Sequence, residues 1–338
     1  MNETNRLSRR DFFKAAGLLG GAALLSNLVS AETSGAEPSE QRKNASTSGA
    51  AADPLLAGVC DIHIHCLPDS RPRCIDELTL ARQAKDAGYR CVMYKSNDFS
   101  CHDRAYLIRK AVPDFEVFGS LCMNRVHGDR INVVAAEQAV KTSGGLCRCI
   151  WMPTLSAVWQ HLCDKIPGPG IPVLDPSGNV LPEAVRVMEI CAEADIVFAT
   201  GHSSPEESLT LARKAKEIGV KKFVVTHVNS LIWKMTRDQI LRVVDLGAFV
   251  ELCYLPRLWG PGTGNPQFER QSAEEFLNFV RIAPERAFIS TDLGQLGNPN
   301  PIDGMRLCIE ELLKSGVPQR DVDLLVRRNP AVLMNLAV

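Results

Sequence analysis

The sequence predicts an α/β protein built on a parallel sheet with helices on both faces. From residue 57 onward, short apolar runs alternate with amphipathic helical stretches, and strands buried on both faces are typical of parallel sheets. Eight such units occur in roughly 280 residues, which fits a (β/α)8 TIM barrel. The alternative, an open doubly wound sheet, would need a glycine-rich phosphate turn after an early strand, and the sequence contains none.

The order of these units defines a single barrel domain, which we place at residues 55–338. Each predicted strand is followed by a predicted helix, and further helices close the chain. Strands are expected over residues 59–65, 90–95, 115–122, 146–152, 195–201, 222–227, 247–254 and 286–292. Helices are expected near 75–87, 103–111, 130–142, 156–164, 182–194, 205–217, 236–246 and 272–281, and then near 303–315, 319–327 and 330–336.

Residues 1–31 are predicted to be a twin-arginine signal peptide rather than part of the fold. The stretch Ser8–Lys14 carries the twin-arginine pattern, and an apolar run follows from Ala15 to Val29. That run is shorter than the roughly 20 residues that a membrane-spanning helix needs. Cleavage after Ala31 would leave no stable membrane span, and an uncleaved N-terminal anchor is the alternative. We therefore expect export by the twin-arginine machinery and a periplasmic location.

A linker is expected between this signal and the barrel. Residues 32–54 contain no aromatic residue and are rich in Ala, Ser, Glu and Gly. Such a segment buries too little apolar surface to order itself, so we expect it to be disordered.

The composition argues against nucleic acid or an anionic membrane as a partner. The chain has 38 basic and 39 acidic residues, for a net charge of −1, and so carries no marked excess of either sign. Its twelve cysteines include no C-x-x-C pair. Most lie in apolar runs, as Cys91, Cys122, Cys191 and Cys253 do, where cysteine behaves as a small buried hydrophobe. We expect reduced structural thiols rather than a disulfide framework.

Two histidines mark the end of the first predicted strand. Side chains two residues apart on a strand point the same way, so His63 and His65 share a face. Two imidazoles on rigid backbone could hold one metal ion between them. The alternative is a strand end with two solvated histidines, because a lone His-x-His is a weak signal.

Polar residues at three other strand ends favour the metal interpretation. His202 follows the fifth predicted strand, His227 the sixth and Asp292 the eighth. The active sites of such barrels lie at the C-terminal ends of the strands, so these side chains are expected to meet the first two histidines. Imidazole and carboxylate ligands suit Zn²⁺, and also Mn²⁺, Fe²⁺ or Ni²⁺. We therefore predict a divalent metal site, with zinc as the first choice.

This pattern resembles the amidohydrolase superfamily. The ligands of that superfamily follow the order seen here: His-x-His after strand 1, a histidine after each of strands 5 and 6, and an aspartate after strand 8. The stretch Arg328–Met334 is also similar to its closing helix. The likeness spans residues from about 57 to 336. Three shorter stretches, 151–154, 201–207 and 290–295, resemble one uncharacterised family related to the amidohydrolases.

The resemblance implies roles for the candidate ligands. His63, His65 and Asp292 would hold a first metal. His202 and His227 would hold a second, or His202 would complete a single-metal site while His227 orients the substrate carbonyl. Asp292 would take a proton from a metal-activated water and later pass it to the leaving group, so Asp292 and His227 are the predicted catalytic residues.

One departure from the superfamily leaves the number of metals at one or two. Its two-metal members bridge the ions with a carboxylated lysine or a glutamate from a middle strand, most often the fourth, and the fourth strand here ends without either. Lys95, at the end of strand 2, is the only lysine at a strand end. It could be carboxylated and bridge two ions, bind a substrate carboxylate or phosphate as a plain cation, or extend along the barrel rim.

Further polar residues near the predicted rim are candidates for contact with substrate. Arg71 follows the His-x-His loop and could bind an anion through two hydrogen bonds. Three others follow the second, third and fourth strands: Asn97, Asn124 and Thr154. Together with Lys95 they are the predicted substrate-binding residues.

The sequence thus predicts a metal-dependent hydrolase that cleaves a C–N or C–O bond, in an amide, lactone or ester, of a small molecule. A metal-dependent decarboxylase of the same superfamily is one alternative, and release of carbon dioxide would distinguish it. A non-catalytic barrel that binds a ligand or a metal is another. Specificity depends on loops, so the sequence does not name the substrate.

Overall fold

Eight parallel strands follow one another around the molecule in chain order. The computed structural model describes residues 53–338. Its strands are β1 (Cys60–Ile64), β2 (Cys91–Tyr94), β3 (Glu116–Cys122), β4 (Cys147–Trp151), β5 (Val197–Ala199), β6 (Phe223–Val225), β7 (Phe249–Cys253) and β8 (Ala287–Ser290). Each strand pairs in parallel with the next. All eight predicted strands are therefore confirmed.

Backbone hydrogen bonds bring the last strand back to the first. The N–H of Asp292, just after β8, donates to the carbonyl of His63 in β1 at 2.9 Å. The N–H of His65 donates to the carbonyl of Leu293 at 2.8 Å. The sheet is thereby closed into the predicted (β/α)8 TIM barrel, and the residues that close it are those predicted to bind metal.

Helices occupy the connections between the strands. They are α1 (Glu77–Asp86), α2 (His102–Ala111), α3 (Val133–Lys141), α4 (Val158–Asp164), α5 (Pro182–Glu193), α6 (Pro205–Ile218), α7 (Arg237–Asp245) and α8 (Ala273–Val280). After β8 come α9 (Pro301–Lys314), α10 (Gln319–Asp323), a π-helical turn (Leu324–Arg328) and α11 (Asn329–Leu333). The predicted closing helices are therefore present as additions to the barrel.

Local capping signals determine where α6 begins, and with it the position of a candidate ligand. The side chain of Ser204 accepts a hydrogen bond from the N–H of Glu207, whose carboxylate accepts one from the N–H of Ser204 at 2.7 Å. Pro205 occupies the first turn, where its missing N–H costs nothing. The helix therefore starts soon after β5, and His202 lies in the short connection between them.

The core surrounds and fills the barrel. Every residue of β1, β2 and β5–β8 is buried, because one face points into the barrel and the other against the helices. Large fully buried side chains include Trp151, Tyr94, Phe118 and Phe198. All twelve cysteines lie in the described part of the chain, unpaired, and ten of them are buried.

The N-terminal predictions fall largely outside the structure. The expected signal peptide, 1–31, and nearly all of the expected linker, 32–54, lie outside the described residues, so export and a periplasmic location stay predictions. Residues 53–338 belong to one compact unit. Within them, the helices are too short or too polar to cross a membrane.

Candidate metal centre

The predicted ligands come together at the C-terminal end of the barrel. His63 lies in β1 and His65 just beyond it, while His202 follows β5 and His227 follows β6. The ring centroid of His63 is 5.3 Å from that of His65 and 5.4 Å from that of His227. The centroids of His202 and His227 are 5.1 Å apart. Four histidines from three strands thus form one buried group.

Asp292 is the carboxylate that joins this group. Its Oδ1 lies 3.1 Å from Nε2 of His65 and 3.1 Å from Nε2 of His63. Its Oδ2 lies 3.9 Å from Nδ1 of His227. The side chain of Asp292 is 14% exposed, so the carboxylate also faces the space above the barrel. An ion, a water molecule or a substrate could reach it there.

Backbone conformation at this end is unusual in two of the predicted ligands. His227 and Asp292 have φ values of 58° and 55°, in the left-handed region that residues other than glycine seldom adopt. Such residues concentrate at functional sites, where surrounding structure holds them. Nearby, Gly294 approaches β1 so closely that a Cβ would overlap the carbonyl oxygen of His65. The loop after β8 can therefore contact β1 only with glycine at this position.

Glu251 belongs to this buried group, although the sequence pattern predicted no role for it. It lies in β7, fully buried, and its Oε1 is 2.8 Å from Nδ1 of His63. The hydroxyl of Ser290 also donates to Oε1, at 2.6 Å. This contact makes Nδ1 of His63 a donor and leaves Nε2 free to bind metal, the arrangement that metal-binding histidines generally show. The sequence does contain a signal for such a contact, a glutamate inside the apolar strand Phe249–Cys253. Because an unpartnered buried charge is costly, this glutamate must have a partner in the folded protein.

Gln160 orients His202 in a comparable way. It lies in α4, and its Oε1 accepts from Nδ1 of His202 at 2.7 Å, so Nε2 of His202 is left facing the cavity. Nothing in the sequence marks Gln160, since a polar residue on a short helix is usually exposed. Its contact with His202 depends on how the loop after β4 folds over the barrel.

The surroundings keep most of these histidines neutral. Burial lowers the pKa of His65 to about 3 and that of His227 to about 4, against the opposing influence of Asp292. Burial also lowers the pKa of His202 well below its ordinary value. A histidine must be neutral to bind a metal, so these side chains are ready to do so at neutral pH.

The two carboxylates and His63 behave differently. Burial opposes the charge on Asp292 and Glu251, but contacts with His63 outweigh it, so the pKa of each carboxyl is lowered. Burial and the charge of Lys95 disfavour protonation of His63, yet Glu251 and Asp292 raise its pKa overall. The carboxylates therefore stay ionised, and the site carries negative charge that a cation would neutralise.

The residues present fit a divalent metal ion. Ligand atoms of His63, His65 and Asp292 lie within 4.8 Å of one another. A second set with the same spacing consists of His63, His227, Glu251 and Cys253. Within the described residues, Nε2 of His63 and Oε2 of Glu251 are buried without a hydrogen-bond partner. Nε2 of His63 is nevertheless 3.1 Å from Asp292, a separation expected of two ligands that face one ion.

A cavity of about 400 Å³ opens above the histidines. Three of the predicted substrate-binding residues, Arg71, Lys95 and Asn97, line it, as do His65, His202, His227 and Asp292. Arg71 pairs with Asp98 at 2.5 Å, so its charge is largely committed. The volume lies within the range of small-molecule sites.

Asn124 and Thr154, also predicted to contact substrate, do not line this cavity. Asn124 donates to Thr154 Oγ1 at 2.6 Å and to the carbonyl of Asn97 at 2.8 Å. Thr154 Oγ1 donates to Oδ1 of Asn97 at 2.9 Å. The structure therefore places both residues behind Asn97, which they hold in position. Their direct contact with a substrate stays a prediction.

Two tryptophans enclose the cavity. Trp233 follows β6 in a 3-10 turn (Leu231–Trp233), and its ring centroid lies 4.2 Å from that of His202 and 4.9 Å from that of His227. Trp259 is buried in the loop after β7 and packs on Phe268 at 5.0 Å. Trp233 was missed in the sequence, although loops after barrel strands are where site residues are expected.

The fold and the site together define a (β/α)8 barrel with buried histidines and carboxylates at the C-terminal ends of its strands, where barrels of this kind have their active sites, and these side chains are of the types that bind divalent metals. The chain belongs to a family of unknown function, DUF6282, whose profile matches residues 58–251. The matched segment contains the four clustered histidines and Glu251 and ends before Asp292. No curated protein shows significant sequence similarity to the chain.

Several solved structures share the fold. A triple mutant of the organophosphorus hydrolase from Deinococcus radiodurans is 12% identical, with a TM-score of 0.53, over 85% of this chain and 95% of that one. The phosphotriesterase homology protein from Escherichia coli, with phosphate in its active site, is 15% identical, with a TM-score of 0.53, over 82% and 99%. An organophosphate hydrolase engineered from a weak promiscuous lactonase is 12% identical, with a TM-score of 0.53, over 84% and 97%. At these identities the likeness shows the barrel fold.

Proposed function

We propose that this protein is a metal-dependent hydrolase that cleaves a C–N or C–O bond, in an amide, lactone or ester, of a small molecule. The observation that carries the proposal is the contact of one ionised carboxylate, Asp292, with His63 and His65, where Asp292 and His65 line a cavity of small-molecule size. The names of the similar structures denote hydrolases and a lactonase template on the same fold, which supports hydrolysis. Zinc is the first choice of metal, and Mn²⁺, Fe²⁺ or Ni²⁺ would suit the same ligands.

Each side chain of the site has a separate role in the proposed hydrolysis. A divalent ion held by His63, His65 and Asp292 would supply Lewis acidity and would lower the pKa of a water molecule from 15.7 toward about 7. Asp292 would accept a proton from the attacking water at Oδ2, which faces His227, and would return it to the leaving group. His227 lies beside Asp292 and would stabilise the oxyanion or help to hold the metal. Glu251 and Gln160 keep His63 and His202 in the required tautomers.

We further propose that the substrate carries an anionic group. Lys95 is 2% exposed, lies 4.8 Å over the ring of Trp151 and forms no ion pair within the described residues, whereas Arg71 and Arg73 are paired with Asp98 and Asp69. A substrate carboxylate or phosphate would satisfy the Lys95 charge. The indole N–H groups of two cavity tryptophans, Trp233 and Trp259, also have no partner in the described chain.

Replacing Lys95 with methionine tests its role as a plain cation. We expect KM to rise about 10–100-fold, since hydrogen bonds to charged groups contribute about 1.5–3 kcal/mol, while the metal content stays the same. Steady-state kinetics and elemental analysis of the same samples would check both. Arg71→Met is the matched comparison, and it should raise KM less because Arg71 already pairs with Asp98. Loss of metal from Lys95→Met would instead indicate a carboxylated lysine that bridges two ions.

The metal content per chain is the direct test of the proposed function. Protein purified without chelator and with added bicarbonate should contain one or two divalent ions per chain. Stripping them should abolish hydrolysis in a screen of lactones, amides and esters, and adding Zn²⁺ back should restore it. Failure to take up metal even after reconstitution would contradict the proposal and leave a ligand-binding barrel. Release of carbon dioxide from a carboxylated substrate would favour a decarboxylase.

A further inference from the structure

We propose that the thiolate of Cys253 is a metal ligand and that Cys253, His227 and Glu251 together hold a second divalent ion beside the set formed by His63, His65 and Asp292. This inference rests on the proposed function, because it assumes that this end of the barrel binds metal. It goes further by giving a chemical role to a cysteine that the sequence predicts to be a small buried hydrophobe.

The first support is the position of the sulfur atom. Cys253 is the last residue of β7 and shares a strand face with Glu251. It is fully buried, and Sγ lies 3.1 Å from Nδ1 of His227. Sγ also lies within 4.8 Å of ligand atoms of His63 and Glu251. A cysteine that only filled the core would be expected among apolar side chains, whereas this one faces imidazoles and a carboxylate.

The orientation of His227 is the second support. In His63 and His202 the Nδ1 atom contacts a side-chain oxygen, of Glu251 and Gln160 respectively, as is usual for the nitrogen that does not bind the metal. The Nδ1 atom of His227 instead faces the sulfur of Cys253 and, at 3.9 Å, Oδ2 of Asp292. The sulfur of Cys253 and Oδ2 of Asp292 are both atoms that bind cations. The Nδ1 atom of His227 therefore faces the space that these two candidate ligand atoms also face.

Glu251 supplies the third ligand atom. Its Oε1 is used by His63 and Ser290, but its Oε2 is buried and has no hydrogen-bond partner within the described residues. Leaving a buried carboxylate oxygen unsatisfied costs free energy. An ion held between Oε2, the sulfur of Cys253 and Nδ1 of His227 would satisfy it.

The chemistry of sulfur determines which metal such a site would take. Zinc–sulfur bonds near 2.3 Å and zinc–nitrogen bonds near 2.0–2.1 Å place tetrahedral ligand atoms about 3.5 Å apart, so the observed 3.1 Å requires only a small adjustment. Thiolates favour Zn²⁺ and related ions over Mg²⁺, Ca²⁺ and Mn²⁺. Binding replaces the S–H bond with a metal–sulfur bond and releases the proton to solvent.

Cobalt substitution tests the proposal through a signal that needs no substrate. Purified protein stripped of metal and titrated with Co²⁺ should show visible d–d bands together with a near-ultraviolet charge-transfer band from thiolate to cobalt. Cys253→Ser should lose the charge-transfer band and keep d–d bands from the remaining ion. The matched control is Cys191→Ser, a fully buried cysteine in α5 outside both ligand sets, which should keep the band.

X-ray absorption of the unmodified zinc protein gives a second measurement that does not depend on whether the variant folds. We expect one sulfur neighbour per two zinc ions, at about 2.3 Å. Two results would refute the role of Cys253: a cobalt protein with d–d bands but no charge-transfer band, or a zinc protein without a sulfur neighbour. Either result would still be consistent with a metal site made of nitrogen and oxygen ligands. Protein that binds neither metal would refute the proposed function itself.

Discussion

Asp292→Asn should lower kcat by about 10²–10⁴-fold, the usual contribution of a positioned general acid and base. The amide has nearly the shape of the carboxylate but cannot accept the proton of an activated water or return it to the leaving group. Asp292 is well suited to the task because contacts with His63 and His65 keep it ionised while one oxygen faces the cavity. Steady-state kinetics on a substrate found by the screen would measure the change.

The folded state should be affected much less than turnover by this substitution. Asparagine can still accept a hydrogen bond from a histidine, and most single substitutions change the free energy of unfolding by about 0.5–3 kcal/mol. Asp175→Asn, in a loop before α5 where the side chain accepts bonds from Ser177 and Asn179, is the control and should retain full turnover. An Asp292→Asn protein with normal kcat would disprove the proton-transfer role.

His65→Ala should remove the metal and the activity together. His65 contributes one of the three ligands in the first set, and we expect metal affinity to fall by more than the roughly 10–100-fold loss typical of a partner that only orients a ligand. Elemental analysis after dialysis, combined with activity at increasing Zn²⁺, would measure the loss. Excess metal should restore activity only in part.

His65 is a cleaner target than His63. Removing His63 would also leave the buried carboxylate of Glu251 with only Ser290 as a side-chain partner, and a buried charge that loses its charged partner destabilises the fold by itself. His127→Ala, in the 3-10 turn after β3 and outside both ligand sets, is the matched control and should keep its metal. Full metal content in His65→Ala would show that the ion binds elsewhere.

The eight strands and the helices between them could be predicted because their signals are local. Alternating apolar runs and amphipathic stretches depend only on neighbouring residues, and the observed elements match them from Cys60 to the closing helices. The end of the chain shows the limit of such signals. The helix expected near 319–327 is divided into α10 and a π-helical turn, a distinction that apolar periodicity does not make.

The sequence by itself determined the barrel and the grouping of the residues predicted to bind metal. His63 and His65 share a strand face, and His202, His227 and Asp292 end strands whose C-terminal ends must meet in any parallel barrel. Their convergence follows from strand order alone. Each is also a polar residue placed directly after an apolar run, which is a signal that can be seen in the sequence.

Only the tertiary structure decided which atoms of these residues are free and what holds them. Glu251 reaches His63 across 188 positions of the chain, and Gln160 reaches His202 across 42. Cys253 faces His227 because the sixth and seventh strands are neighbours in the sheet. Such contacts depend on side-chain rotamers and on closure of the barrel, neither of which leaves a local pattern. Their physical origin is the requirement that buried polar atoms find partners, and that requirement is met only after the chain has folded.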